Sequence, residues 1–199
     1  MKTKICAALA LSASLLGASA ASAEEGFYYG GSIGGSSFNS GRGNFVETEG
    51  NSLTLGVVAG YSFELQNGWS AGVEGSFDFL TGGAMSYSNG QPSCTSRSPD
   101  WCDVDSIVRV RGFVGVPVND NLEFLAMGGF ATASGFAEDG PTTFVDSRAK
   151  GFTVGVGAQT QTGFGTTRFE LIYDEMSNVT PNRYDKTLKV ISLKTSILF

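Results

Sequence analysis

The sequence contains no histidine among its 199 residues. Enzymes that hydrolyse or transfer acyl groups commonly use histidine as the general base that activates a nucleophile. Its absence excludes the Ser-His-Asp mechanism, although chemistry based on carboxylates or lysine stays open. It also makes a zinc site improbable, since the few thiolates present form a poor ligand set without imidazole. We therefore predict no catalytic site, no cofactor and no metal ion.

Positive charge is scarce, with 13 Lys and Arg residues against 19 Asp and Glu residues. Binding to nucleic-acid phosphates depends on clustered Lys and Arg, so nucleic acid is not an expected partner. The sequence also offers no membrane-spanning helix, which needs roughly 20 apolar residues. The apolar run from Ile5 to about Leu16 is too short for that purpose.

That run has the flanks of a secretory signal peptide. Two lysines precede it, and residues 21–23 (Ala-Ser-Ala) fit an A-x-A cleavage site. We therefore predict a signal peptide over residues 1–23, cleaved after Ala23, and one domain over residues 24–199. Without the two leader lysines, 11 basic residues stand against 19 acidic ones, and the mature net charge is −8.

Two cysteines remain in the predicted mature chain, Cys94 and Cys102, in a stretch rich in Ser, Pro and Asp. An exported protein meets oxidising conditions, so a local disulfide is the favoured interpretation, ahead of two free thiols or a metal pair. Such a bridge would brace the longest of the loops predicted below.

Hydrophobic and polar residues alternate with a period of two in eight segments, and no segment has a convincing helical period. Each segment has the length of about 10 residues that a tilted membrane-spanning strand needs. The predicted strands cover residues 27–35, 52–63, 68–79, 105–116, 121–133, 149–159, 166–174 and 188–199. This pattern predicts an all-β fold, an eight-stranded antiparallel up-and-down β-barrel.

The connections between these segments alternate strictly between short and long. Barrels of the outer membrane have tight turns at one rim and long loops at the other, whereas a soluble sandwich has no reason for this rhythm. The short connections are 64–67, 117–120 and 160–165, and the long ones are 36–51, 80–104, 134–148 and 175–187.

One face of the predicted sheet is apolar and bulky, and the other is polar and rich in glycine. In the third segment Trp69, Val73 and Phe77 share one face, opposite Glu74 and Asp78. A soluble carrier of the lipocalin type would hold its apolar face inside, but eight strands enclose too narrow a space for so many aromatic rings. We therefore predict that the apolar face meets lipid and the polar face lines the lumen.

The polar face carries charges of both signs. Because unpaired charges in a low-dielectric interior are unfavourable, we expect them to pair across the lumen and plug it. A selective pore or a catalytic carboxylate pair is the competing interpretation. The predicted network consists of Glu74, Asp78, Arg109, Arg111, Glu123, Arg168, Glu170 and Lys194.

Several stretches resemble a known family. The opening strand FYYGGSIGGSS, the third strand GWSAGVEGSFDF, the sixth strand FTVGVGAQTQ and the terminal aromatic are similar to small eight-stranded outer membrane proteins of the OmpA/OmpX/Opa type. Within that class the chain is most similar to porin-like surface antigens of Gram-negative bacteria. The similarity covers the whole predicted mature chain as a pattern.

This resemblance implies insertion by the barrel-assembly machinery, which reads a final strand with alternating apolar residues and a terminal aromatic. Leu193, Ile197 and Phe199 match that signal, and Thr195 is a weaker occupant. The chain ends at the barrel, so no periplasmic peptidoglycan-binding domain is expected. It also lacks the histidine of the enzymatic members of this class.

Together these features predict a non-enzymatic monomer of the bacterial outer membrane. Expected partners are outer membrane lipid and lipopolysaccharide, the assembly machinery, and a host or cell-surface ligand bound through four long loops, as for an antigen or adhesin. A narrow porin-like channel is the first alternative, and a histidine-free lipid-modifying enzyme is the second.

Overall fold

The computed structural model describes residues 26–42, 45–66, 68–87, 101–138, 144–178 and 187–199. No described segment forms a helix long and apolar enough to cross a membrane. The strands are β1 (Gly26–Arg42), β2 (Phe45–Glu64), β3 (Ser70–Thr81), β4 (Ser86–Tyr87), β5 (Trp101–Asn119), β6 (Leu122–Glu138), β7 (Phe144–Thr162), β8 (Gly165–Asn178) and β9 (Thr187–Leu198).

Eight of these strands form a closed antiparallel barrel, which confirms the predicted fold. The order β1-β9-β8-β7-β6-β5-β3-β2 is closed by pairing between β1 and β2. The last residue takes part in the closure, because Phe199 and Tyr29 exchange two backbone hydrogen bonds of 2.8 and 3.1 Å. The terminal strand is therefore fixed to the first strand up to the final residue.

The strands are strongly staggered around the barrel. Following directly paired residues from Lys150 on β7 through β6, β5, β3, β2, β1, β9 and β8 returns to β7 at Thr160. The stagger is thus ten residues for eight strands, which corresponds to a strand tilt of about 40°. This tilt brings residues far apart in sequence to the same height in the lumen.

The short turns lie at one end of the barrel, and residues typical of turns shape them. Between β2 and β3, Gly68 has a φ of 79° and donates its N–H to the carbonyl of Leu65 at 2.9 Å, a conformation that glycine adopts without strain. Between β5 and β6, the Asn119 side chain accepts two backbone N–H groups at 3.0 Å.

The outward face forms an apolar belt. Phe77 is 46% exposed, Val110 61% and Leu171 51%, whereas the charged residues on the alternate positions are buried. This orientation excludes the soluble-carrier interpretation. Members of the belt include Ile33, Leu53, Leu55, Val57, Tyr61, Phe63, Val73, Phe77, Phe79, Val108, Val110, Val114, Phe130, Phe152, Val154, Val156, Phe169, Leu171, Ile191, Leu193 and Ile197.

Two of the predicted long loops are largely β-structure. β1 and β2 pair as far as Arg42 and Phe45, and β6 and β7 pair as far as Glu138 and Phe144. The loop boundaries predicted at 36–51 and 134–148 are therefore wrong. Their Gly, Ser and Asn content is typical of loops, but the continuing ladder and burial of inward side chains such as Phe38 extend the strands.

These extensions form a collar beyond the belt, in which the polarity of the two faces is reversed. The collar comprises the long-loop ends of all eight barrel strands, and its interior is an apolar cluster. The cluster contains Phe38, Leu80, Met85, Val104, Ile107, Ala131, Ala133, Ala149, Met176, Leu188 and Val190. Outward positions are mostly polar, and include Ser37, Asn51, Thr81, Ser134, Arg148, Lys150, Ser177 and Lys189. A polar exterior over an apolar core is the arrangement expected in water.

The segment after β3 closes a seam in the collar. β3 ends at Thr81, while its neighbours β2 and β5 continue further. Gly83 accepts the N–H of Val104 at 3.3 Å, and Ala84 bridges Asp103 on β5. β4 then pairs with β2 at Thr48 and Glu49. Backbone groups that β3 leaves unpaired on both neighbours thus obtain partners.

Candidate functional site

The charged lumen begins directly below the apolar cluster of the collar. On β5, Arg109 donates from Nε and Nη2 to the carboxylate of Asp174 on β8, at 2.9 and 2.5 Å, and from Nη1 to Asp78 on β3. The second oxygen of Asp78 accepts a hydrogen bond from Lys194 Nζ on β9 at 2.5 Å. All four side chains are buried, so we call this set the upper ion group.

A second set, the lower ion group, lies nearer the short turns. Glu74 accepts hydrogen bonds from Arg111, from Arg168 Nη1 at 2.5 Å and from Tyr28 Oη at 2.7 Å. Arg111 also donates to Glu170 at 2.8 Å. The guanidinium of Arg168 lies over the Tyr28 ring, 5.4 Å from its centroid, which adds a cation–π contact.

Two glycines on β2 make room for these groups. A Cβ atom at Gly56 would lie 2.1 Å from Asp78 Oδ1, and one at Gly60 would lie 2.6 Å from the Tyr28 ring. Any larger residue would displace a partner of the network. The glycine content of the polar face therefore reflects space that the charged and aromatic side chains fill.

Apolar and aromatic side chains close the lumen beside and below the lower ion group. This inner cluster contains Tyr28, Val58, Phe113, Leu125, Met127 and Leu198. The described lumen thus has an apolar layer at the collar end, the two ion groups next, and the inner cluster beside and below the lower group, with Glu123 nearest the short turns. The predicted inner face contained only polar residues and glycine, so these apolar clusters were not predicted from the sequence.

Seven of the eight predicted network residues meet in the two ion groups. Glu123 is the exception, since its carboxylate is half-buried and accepts hydrogen bonds from Ser70 and Gln159, both at 2.5 Å. Gln159 in turn accepts from Arg168 Nε at 3.0 Å. In the described part of the chain Glu123 therefore reaches the network through a neutral side chain, because it lies at the short-turn end of β6.

Sequence reasoning missed two members, Asp174 and Tyr28. Asp174 continues the alternation of Arg168 and Glu170 on β8, so its phase was a usable signal. Tyr28 carries no charge, and its contact with Glu74 joins residues 46 positions apart. The strand register brings the pair together, because Tyr28 on β1 and Glu74 on β3 both lie directly opposite Gly60 on β2, which has no side chain to separate them.

The ion groups hold four carboxylates and four cations in balance. Each carboxylate accepts hydrogen bonds from at least one cationic side chain, and burial without such pairing would be unfavourable. A general base needs a free carboxylate within reach of substrate and water. The described carboxylates of the two groups are instead occupied by arginine and lysine, an arrangement suited to rigid closure.

The remaining predicted positions have different outcomes. Leu193 and Ile197 face outward in the belt, 65% and 45% exposed, and Phe199 packs its ring 6.3 Å from that of Tyr29. Cys94 lies outside the described residues, so the predicted disulfide with Cys102 stays a prediction. Residues 1–23, the predicted signal peptide, also lie outside them.

A closed eight-stranded barrel with an apolar belt and a charged, filled lumen defines a transmembrane barrel of the bacterial outer membrane. The chain belongs to the outer membrane protein beta-barrel domain family, whose model matches residues 6–172. No curated protein matches the sequence.

Three solved structures are similar to this chain at low sequence identity. Neisserial surface protein A is 11% identical with a TM-score of 0.50, and the match covers 87% of this chain and 97% of that one. Ail of Yersinia pestis is 14% identical with a TM-score of 0.45, over 88% and 99% of the two chains. The N-terminal barrel of Pseudomonas aeruginosa OprF is 9% identical with a TM-score of 0.46, over 84% and 97%.

Proposed function

We propose that this protein is a sealed structural barrel that presents its collar and connecting loops at the cell surface, as an antigen or adhesin does. The observation that carries this proposal is the filled lumen, in which one apolar cluster lies above the two ion groups and the other packs beside and below the lower one. A lumen filled in this way has no continuous aqueous path. The function then lies on the exposed rim, where a rigid scaffold displays variable segments.

The collar supports this role because it has its own apolar core. Its interior side chains, such as Phe38, Val104 and Leu188, are fully buried. Hairpins β1–β2 and β6–β7 therefore start from a rigid base above the belt. We infer that the connecting residues 88–100 and 179–186 form part of the recognition surface for a host or cell-surface ligand.

Export and assembly complete the proposal. Residues 1–23 act as the signal peptide, cleaved after Ala23, and residues 24–199 form the mature monomer. The barrel-assembly machinery reads Leu193, Ile197 and Phe199, and Cys94 pairs with Cys102. Outer membrane lipid and lipopolysaccharide surround the belt.

Two measurements test the proposed function. Purified protein in planar bilayers should give no stable conductance, and a reproducible open level would favour the narrow channel instead. On whole cells, replacing residues 88–100 or 179–186 with a short Gly-Ser linker should reduce attachment to host cells. Surface labelling of the same variants controls for export. Unchanged attachment by both variants would contradict the adhesin role.

A further inference from the structure

A surface groove crosses β5, β6 and β7 in the half of the belt that is nearer the collar. Its volume is about 490 Å³, and its outward lining consists of Val108, Val110, Phe130, Thr132 and Lys150. We call it the β5–β7 groove. It lies in the half of the belt that borders the collar, because Lys150 belongs to the polar exterior of the collar while the valines belong to the belt.

The walls of the groove are apolar. Phe130 is 77% exposed and Val110 is 61% exposed. Thr132 does not add a free polar group, since its hydroxyl donates to the carbonyl of Ala149 at 3.0 Å. The lining below Lys150 therefore offers only hydrocarbon contacts.

Lys150 lines the polar end of the groove, and Arg148 lies next to it on the same strand, outside the lining. Arg148 and Lys150 are two positions apart on β7, so their side chains share the outward face, and both are exposed. Their partners on β6 are the neutral Ser134 and Thr132, and Lys150 pairs with Ser177 on β8. No described carboxylate forms an ion pair with either cation. Lys189 also forms no ion pair with a described carboxylate, but it differs in its neighbour, because it lies directly opposite Glu175 on β8.

We propose that the β5–β7 groove binds one phosphorylated, acylated lipid of the outer leaflet. An acyl chain lies along Val110 and Phe130, and a headgroup phosphate accepts charge-assisted hydrogen bonds from Arg148 and Lys150. This site rests on the proposed orientation, with the collar outside, and it specifies the lipid partner that the proposed function leaves general.

The barrel contains a matched control groove. It has a volume of about 420 Å³, lies in the short-turn half of the belt, and is lined outward by Phe63, Ala71, Val114 and Ala126. No cationic side chain lines it. The two grooves thus have similar volumes and apolar walls but differ in charge. Comparing variants of the two grooves therefore distinguishes binding of a phosphate group from nonspecific contact with acyl chains.

The test uses the mature protein in nanodiscs of neutral phosphatidylcholine that contain an increasing mole fraction of lipid A. Native mass spectrometry counts the lipid A molecules bound to each protein. Each basic residue near an anionic lipid headgroup contributes about fivefold to binding. The double variant Arg148→Gln/Lys150→Gln should therefore bind lipid A about 25-fold more weakly. The control Lys189→Gln should stay within about twofold of the unmodified protein.

A second pair of variants tests the hydrocarbon part. Val110→Trp fills the β5–β7 groove and should weaken lipid A binding, whereas Ala126→Trp fills the control groove and should leave it unchanged. Both positions face outward, and a gel-shift assay for the folded barrel checks each variant. Inorganic phosphate should compete poorly, and lipid A without its phosphates should bind no more tightly than the double variant binds intact lipid A.

Equal losses for Lys150→Gln and Lys189→Gln, or equal binding of phosphorylated and dephosphorylated lipid A, would overturn the site. This outcome is independent of the adhesin assay. If the protein does not prefer phosphorylated lipid A but cells attach normally, only the lipid site is contradicted. If the preference is present but the loop variants attach normally, only the adhesin role is contradicted.

Discussion

The collar and the membrane-spanning part of the same strands have opposite polarity. On β5, the inside changes from Ile107 to Arg109, while the outside changes from Ser106 to Val108. The same exchange occurs on β9, where Val190 and Lys189 give way to Ser192 and Ile191. Both changes occur at one height because the surroundings of the barrel change there from water to lipid. The pattern of a strand therefore reports its environment as well as its pairing.

The largest effect is expected from breaking the charged interior. Arg109→Met leaves the buried carboxylate of Asp174 without a described cation, while Asp78 keeps Lys194. Removing one partner of a buried ion pair destabilises a protein by about 3–5 kcal/mol. Urea unfolding in phosphocholine vesicles, followed by tryptophan fluorescence, measures the change.

The double variant Arg109→Met/Asp174→Asn is the matched control for that prediction. It restores charge balance in the upper ion group, so it should recover a large part of the lost free energy of unfolding. If the double variant is as unstable as the single one, the loss arises from packing around Arg109 and not from an uncompensated charge.

A slightly smaller effect is expected on the outer face. Leu171→Lys places a charge against lipid in the belt, which should destabilise the barrel by about 2–4 kcal/mol. Asn51→Lys makes the same charge addition on the exposed exterior of the collar and should change stability by less than about 0.5 kcal/mol. Equal values for the two variants in vesicle unfolding would contradict the proposed boundary between belt and collar.

The same Ile→Val substitution should reduce stability more inside the collar than on the lipid-facing surface. Ile107 is 1% exposed inside the collar, whereas Ile33 is 53% exposed in the belt. Ile107→Val should cost about 0.5–1.5 kcal/mol, since a packed core loses contacts around the missing methyl group. Ile33→Val should have a smaller effect, because lipid chains fill the space. Urea midpoints of the two variants provide the test.

The smallest effect concerns pH and the collar seam. Partial burial, and then the nearby carboxylate of Asp105, raise the pKa of Asp103 above its usual value. Its ionised form is therefore disfavoured in the folded state, and stability decreases as pH rises through the raised pKa. Asp103→Asn should give a higher urea midpoint at pH 7 and no gain at pH 3. A gain that persists at pH 3 would show that charge is not the cause.

Much of the belt could be predicted from the sequence, while the collar could not. Val73, Phe77 and Phe79 alternate with Glu74 and Asp78, so any strand through them has one apolar and one charged face. Residues 36–51 lack such an alternation of bulky and charged groups, and their Gly, Ser and Asn content matched a loop. Their pairing depends on β1 and β2 continuing beyond the membrane, which no local pattern specifies.

The lumen was predicted in composition but not in its contacts. The phase of β8 places Arg168 and Glu170 inside, and the same phase extends to Asp174. Arg111 meets its direct cross-strand neighbour Glu74, but the contacts of Arg109 with Asp174 and of Arg168 with Glu74 cross the lumen and depend on the stagger of ten residues around the barrel. Direct pairing would match Lys194 with Glu170 on the next strand, yet Lys194 reaches across the lumen to Asp78.

The sequence by itself determined that the chain forms eight membrane-spanning strands with lipid outside and charge inside, because a period of two assigns each residue to one face. Only the tertiary structure decided the height of each residue in the barrel. Tilt and stagger are properties of the closed sheet, and they set which buried charges pair, where apolar layers close the lumen, and where the strands leave the membrane.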